Sequence, residues 1–497
     1  MRPAFVMFHK LHSISTKINP LTMPKNSLMN FLSPINYMNP KTIPLILVLA
    51  CAASGASQAQ STWNQTVNAD WNTSTNWTPN GVPNAAGAVV NLTNSIPGSR
   101  TVNLNVDATV GIINIGDTDA TPHAFTLSNA TNTLTFNSGN ASAAQLNYLA
   151  GSVTNLVGPA KLLATSLDIS NNSNVSQTFT GATGSSTSGT KILRNAGSGT
   201  GEVTFATGAV ISNATGTIAV VQDSATSRMA FANTVNTYSG GFTLQQGTVA
   251  ISGGSSAVLG SGTLTLVSGR VEKTTDTGRT LTNNYGIQGN IEFDSVSGSN
   301  NRIILNGAGD LNGATRTLTV NTNAALLIGG ALGNGGVTKA GAGVLEYSTA
   351  KAYTGATTIS AGTLILSTTG NFASTTLGFG VVDASAGILR VDNTAFTFTG
   401  TMNLNLSAVT VSFGSWNLFT GSAFGSGDVN LANLISNIGG LTFTESANIW
   451  SGASAGRTWS FAEATGQLSV VPEPSTWMLL AMGLVLVSLR RRASFRA

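Results

Sequence analysis

Few residues in this 497-residue chain could perform chemistry, and most of them sit in two short clusters. The first is Asp117-Thr118-Asp119-Ala120-Thr121-Pro122-His123, two carboxylates and an imidazole within one turn of chain. Such a group could bind a metal or shuttle a proton. The flanking Gly116 and Pro122 favour a simpler expectation, a solvated turn held by Asx hydrogen bonds. The second cluster is Glu292-Phe293-Asp294, whose carboxylates share one side of a strand and have Arg302 as the nearest base in sequence. A solvent-facing strand is again the plainer expectation. Any Ser–His–Asp arrangement would rest on His123, since the other two histidines, His9 and His12, lie near the start. Asp310 stands alone, without the repeated aspartates of calcium-binding nonapeptides. No glycine-rich loop is followed by Lys-Ser/Thr and a helix, so phosphate cradles are unsupported. The Thr-x-Thr pairs at Thr133/Thr135, Thr263/Thr265, Thr317/Thr319 and Thr397/Thr399 are too unevenly spaced for an ice-binding array and fit ordinary strand propensity. We therefore assign no catalytic, metal or cofactor residue.

The charge distribution is more informative. Lys and Arg total 23, and Asp and Glu 19. Residues 1–60 hold five of the basic groups and no acid, while residues 473–497 hold four arginines and Glu473. Removing nine basic groups and one acid leaves 14 and 18, so residues 61–472 carry a net charge of −4. The basic pI describes the two ends, and a nucleic-acid partner loses its electrostatic footprint.

The first end reads as a secretory signal. Lys41 precedes the apolar run Ile43–Ala53, and Ser57-Gln58-Ala59 places small residues for cleavage between Ala59 and Gln60. Met38 is the expected start, with residues 1–37 an upstream extension. Cys51, the only cysteine, lies in the apolar run after Val48-Leu49-Ala50, a weak lipoprotein box, and leaves the mature body without a disulfide. At the other end, Val471-Pro472-Glu473-Pro474 precedes an apolar run, Trp477–Leu489, and the basic stop Arg490-Arg491-Arg492. Thirteen residues at about 1.5 Å each span some 20 Å, a marginal membrane helix placed at about 475–489. The arginines would hold its end on the cytoplasmic side. Motif, apolar helix and basic stop resemble the PEP-CTERM sorting signal of Gram-negative bacteria, with Pro472, Glu473 and Pro474 as its signature. That resemblance implies an exosortase-type membrane protease as partner, transient retention in the inner membrane, and release or attachment at the surface.

Between the ends, short Val/Leu/Ile/Phe/Thr runs alternate with Gly/Asn/Ser turns, as in Thr133-Leu134-Thr135-Phe136 and Thr317-Leu318-Thr319-Val320. The fold is expected to be all-β. Tyr238–Ser252 aligns without gaps onto Tyr353–Ser367, 115 residues later. With the preceding Gly335–Leu345, the pattern resembles the autotransporter-associated β-strand repeat, which implies a right-handed parallel β-helix. Stacked coils would bury faces that no strand can bury alone. The ends of such a stack need caps, and tryptophan marks them: Trp63, Trp71 and Trp77 near the mature start, and Trp416, Trp450 and Trp459 near the end. The alternative role for these rings is an exposed sugar platform. The expected organisation is a signal over 1–59, a cap and degenerate coils over 60–229, and a repeat over 230–268. Degenerate coils over 269–334, a second repeat over 335–367, C-terminal coils and cap over 368–470 and the sorting signal over 471–497 complete it. No outer-membrane barrel of alternating strands is apparent, so the chain does not resemble a self-transporting autotransporter. The expected function is that of an exported, non-enzymatic surface or matrix protein, in adhesion or in association with exopolysaccharide or other surface proteins. A polysaccharide lyase or glycoside hydrolase on the same scaffold is the alternative.

Overall fold

A computed structural model describes residues 60–473 and 482–485, apart from 130, 233–234, 253–255, 276 and 297–301. Apart from a 3-10 turn at Ser74–Asn76 and a helical fragment over 482–485, the described residues form strands and turns. The strands wind into a parallel β-solenoid of about 13 turns. Each strand pairs in register with one from the turn before and one from the turn after: Val89–Leu92 pairs with Ile112–Ile115, which pairs with Ala144–Tyr148. One continuous sheet of 28 strands results, with shorter parallel sheets of 5 and 7 strands flanking it.

Period-two patterning explains why these segments coil. In Thr217–Asp223 the side chains of Ile218, Val220 and Gln222 point inward and their neighbours outward. A single strand of this kind has one apolar face and nothing to cover it; the faces of successive turns meet around a common interior. Coil length is not constant. Ile112 pairs with Gln145, an offset of 33, whereas Val337 pairs with Thr357, an offset of 20. Insertions leave through the corners while the strand register holds.

The two repeats owe their likeness to this geometry. Gly247 and Gly362, equivalent at the offset of 115, both adopt left-handed backbone, with φ of 74° and 67°. A Cβ at Gly247 would lie 1.9 Å from the carbonyl oxygen of Ser224 in the coil beneath. Glycine is required there by both conformation and space.

Aromatic rings form a column inside the first half. Phe179, Phe205 and Phe231 are in register on consecutive turns, and their rings stack with centroids 5.1 and 5.3 Å apart. Buried amides mark the adjoining corner. Asn195 donates to Gln222 (2.8 Å), and Gln222 donates to the carbonyls of Ser224 and Ser227 (3.0 and 2.7 Å). These bonds satisfy backbone groups that a tight corner would otherwise leave unpaired.

The tryptophans lie where the coil stack closes, and their rings are buried. Trp63, Trp71 and Trp77 have no exposed surface and meet edge to face at 5.0 and 4.8 Å. The indoles of Trp71 and Trp77 donate to the carbonyls of Pro83 (3.2 Å) and Trp71 (2.8 Å). Gln60–Trp63 pairs with the next coil on one edge, and antiparallel Trp77–Thr78 covers the other. At the far end the ladder stops at Asn433–Ser436, and a five-stranded antiparallel sheet takes over. In it Trp416 stacks on Trp459 at 6.3 Å, and the indole of Trp450 donates to the buried carboxylate of Glu463 (2.8 Å). The sugar-platform alternative fails for all six rings, since none is exposed to a ligand. The far cap is an antiparallel sheet, a change of strand direction that tryptophan spacing alone did not reveal.

Candidate functional site

The His123 cluster is a structural turn built on a buried acid. Asp117 is fully buried, and its carboxylate accepts the backbone N–H groups of Ile96 (3.3 Å), Asp119 (3.3 Å) and His123 (3.1 Å). The His123 Nδ1 atom stands 3.8 Å from Asp117 Oδ2. Asp119 is outside, held below the usual carboxylate range chiefly by the Ser95 hydroxyl and then by the backbone N–H of Thr121. The Asx bonds are those expected of the turn, but its key carboxylate is sealed from water rather than solvated. Its lone pairs serve the backbone, leaving little for a metal or substrate.

Glu292 and Asp294 do share the outer side of the strand Ile291–Ser295. Their base is Arg270, one coil earlier, which reaches Glu292 at 2.8 Å and Asp294 at 3.2 Å. Arg302 turns away and pairs with Glu346. The correction follows from register: Arg270 lies opposite Glu292 across the ladder, and Glu272 opposite Asp294. Sequence proximity pointed to Arg302, whereas the coil offset of 22 points to Arg270. That offset is set by how the coils stack, not by the local sequence.

These groups belong to a charged seam on the outer surface. Arg194 lies between Asp168 (2.7 Å) and Asp223 (3.5 Å), and Arg228 between Glu202 and Glu272, the latter at 3.0 Å. The hydrogen bonds that Arg194 donates to Asp168 are the main influence raising its pKa above the ordinary value. Arg194 and Arg228 thus each span carboxylates drawn from different coils, whereas both partners of Arg270 lie on one strand. Beside the last pair runs a groove of about 520 Å³, with Thr248, Arg270, Asn290, Glu292 and Thr319 along its walls. Its acids are occupied: Glu292 accepts from Arg270 and also from the Asn321 amide (2.6 Å). Among the described residues, no group of three or more His, Cys, Asp or Glu side chains is placed to hold a metal ion. The Thr-x-Thr pairs do not form one array either; Thr265 has Thr243 and Gly286 beside it in register.

Inside the solenoid lie lysines that patterning did not mark. Lys161 is fully buried, donates to the carbonyls of Pro159 (2.7 Å) and Val157 (3.3 Å), and lies over the Phe179 ring. Burial pulls its pKa down to about 7. Lys339 donates to three carbonyls, of Ala340, Gly341 and Ala361, and Lys351 to the Gly330 carbonyl and the Thr349 hydroxyl. Desolvation brings each of these down to about 8. They plug corners and have no route to a ligand.

The sorting residues sit at the ends of the described chain. Gln60 is exposed and begins the first strand; Ala59 lies outside the described residues. Pro472 is the last residue of the strand Gln467–Pro472 and faces Arg457, and the backbone N–H of Glu473 donates to the Gly456 carbonyl at 2.9 Å. The motif therefore starts inside the cap sheet, with no linker between them. Pro474, Arg490, Arg491 and Arg492 lie outside the described residues, as does most of the proposed helix at 475–489. Among the described residues, no helix is long and apolar enough to cross a membrane.

Two family comparisons match these features. Residues 470–492 match the PEP-CTERM protein-sorting motif, and residues 227–251 and 337–366 match the passenger-associated-transport repeat. No curated protein and no solved structure matches the chain. The matches fall on the tail and on the two segments whose repetition was read from sequence. They indicate an exported, cell-surface or extracellular protein of a Gram-negative bacterium, recognised by an exosortase-type sorting system.

Proposed function

We propose that this chain is a non-enzymatic surface solenoid that associates with the exopolysaccharide of its own cell, held in the inner membrane by its tail until the sorting protease cuts. The observation that carries the proposal is the charged seam. Its arginines and carboxylates are paired across coils, so the acids along it accept from neighbours rather than stand ready to move a proton. What remains outward is largely Ser, Thr and Asn, neutral hydrogen-bonding groups suited to hydroxylated polymers.

The test is co-sedimentation of the mature protein with the host's purified exopolysaccharide, followed by measurement of polymer length. Binding with unchanged length is expected. Depolymerisation would overturn the proposal in favour of the lyase or hydrolase reading, with the groove at Arg270 and Glu292 as its site. In that case Glu292→Gln should abolish the activity. Processing is tested separately by intact mass of the secreted form. The C-terminus is expected beyond Glu473, because Val470 is fully buried in the cap and Glu473 is still bonded to it. A secreted form that retains Arg490–Arg492 would refute removal of the tail.

A further inference from the structure

The cap ends in an apolar rim beside the sorting motif. Gly414 faces Val470 at the end of their antiparallel pairing, so the next residues outward are Phe413 and Val471. Trp416, Leu468 and Val470 point into the cap, and strand alternation turns Phe413 and Val471 the other way. Phe413 is 74% exposed, the highest value for any large apolar side chain among the described residues, and Val471 is 40% exposed. Phe413 is bare in a body whose other rings are mostly buried, and with Val471 it places two exposed apolar side chains beside the sorting motif.

The chain itself indicates which. From Glu473, still bonded to the cap, to Trp477, the first residue of the apolar run, there are four residue steps. Extended chain covers about 3.5 Å per residue, so the gap is bridged by at most about 14 Å. With the tail in a bilayer, the tether keeps Glu473 within about 14 Å of where the apolar run begins, which leaves the rim within reach of the headgroups. The charges here do not select anionic lipid. Arg457 is engaged by the carbonyls of Val409 and Val411, Asp383 by Thr410 and Val411, and Glu473 is negative. The attraction is apolar.

We infer that Phe413 and Val471 form a membrane-seated foot, a lipid-contacting surface that fixes the cap on the bilayer while the tail is inserted. The inference rests on the tail being membrane-held, as proposed above. The test uses the chain from Gln60 to its end, reconstituted in phosphatidylcholine vesicles. It contains no native cysteine, so an environment-sensitive dye is placed by Ser415→Cys beside the rim, or by Val67→Cys in the first turn. Spin-labelled lipid should quench the dye at 415 roughly threefold more than that at 67, as expected for a group within the interfacial zone. Phe413→Ser with Val471→Ser should bring the two levels together. If added protease cannot digest the tail yet the dye at 415 remains in water, the foot is wrong and the membrane-held tail stands. A digestible tail overturns both. Shielding at 415 that grows with protein concentration in the absence of lipid assigns the rim to a second copy and overturns the foot.

Discussion

The coils and the C-terminal cap solve the same burial problem with opposite strand directions. In the coils the strands of the long sheet run parallel and most are hydrogen-bonded to the turns before and after, so each coil offers an edge to the next. In the cap, the strands Thr444–Ser446, Ile449–Ser454, Arg457–Ala462 and Gln467–Pro472 fold back on one another in sequence order. Among its core rings Trp416 stacks on Trp459, and Phe461 meets Phe419, which ends one of the flanking parallel sheets. An antiparallel sheet cannot template another parallel coil on that side, and this stops both growth and end-to-end association. Parallel coils give length; the antiparallel sheet gives an end.

This contrast can be broken at either part. Trp459→Ala should cost about 4 kcal/mol, the usual scale for a buried Trp truncation. Hydrogen exchange should rise through Arg457–Pro472 while the first coils stay protected, because repeat stability is local. Loss of protection at Trp63 would show instead that cap and coils unfold together. Phe205→Ala removes the middle ring of the column and should cost about 3 kcal/mol. Exchange there should rise in the turns holding Phe179 and Phe231 and leave the cap unchanged.

A further effect separates the two parts by pH. Lys161, in the coils, titrates near 7 when folded and about 10.4 when unfolded. Below about pH 7 both states carry the charge and its burial cost is fully felt. Between about 7 and 10.4 only the unfolded state keeps the proton, so stability rises with pH, by a gain of up to about 4–5 kcal/mol. Above about pH 10 the buried tyrosines reverse the trend, since desolvation raises Tyr238 and Tyr347 and the unfolded chain ionises first. Denaturant melts of coil fluorescence should therefore peak near pH 10, and Lys161→Met should remove the part of the rise that begins near 7, leaving the part from about 8 that Lys339 and Lys351 contribute. A wild-type profile flat over that range would refute the buried lysine's role. Arg270→Ala is the mildest change. Its partners are a quarter to a third exposed, and the expected loss is below about 1 kcal/mol in a thermal melt.

The solenoid was legible because its signals are local. Gly247 and Gly362 announce a left-handed corner, alternating strands announce an inside, and the tryptophan gap announces two ends. The seam was not legible, because it depends on which coil lies above which. Offsets between 19 and 33 residues mean that Arg270 meets Glu292 only once the insertions are known. The buried lysines were missed for a related reason: an inward Lys161 breaks the apolar pattern, and only the converging corner carbonyls make it tolerable. The reversal of direction after Asn433–Ser436 was hidden because parallel and antiparallel strands share one alternation.

The order of the coils along the chain has a consequence for secretion. Each turn is completed by residues that follow it within about one coil length, and no strand of the ladder waits for a distant part of the sequence. A polypeptide threaded out of the cell from its amino end can close the tryptophan-lined first turn and then add turns one by one. Every closure opposes backsliding through the pore, so the growing stack acts as a ratchet, and the cap is the last part to lock.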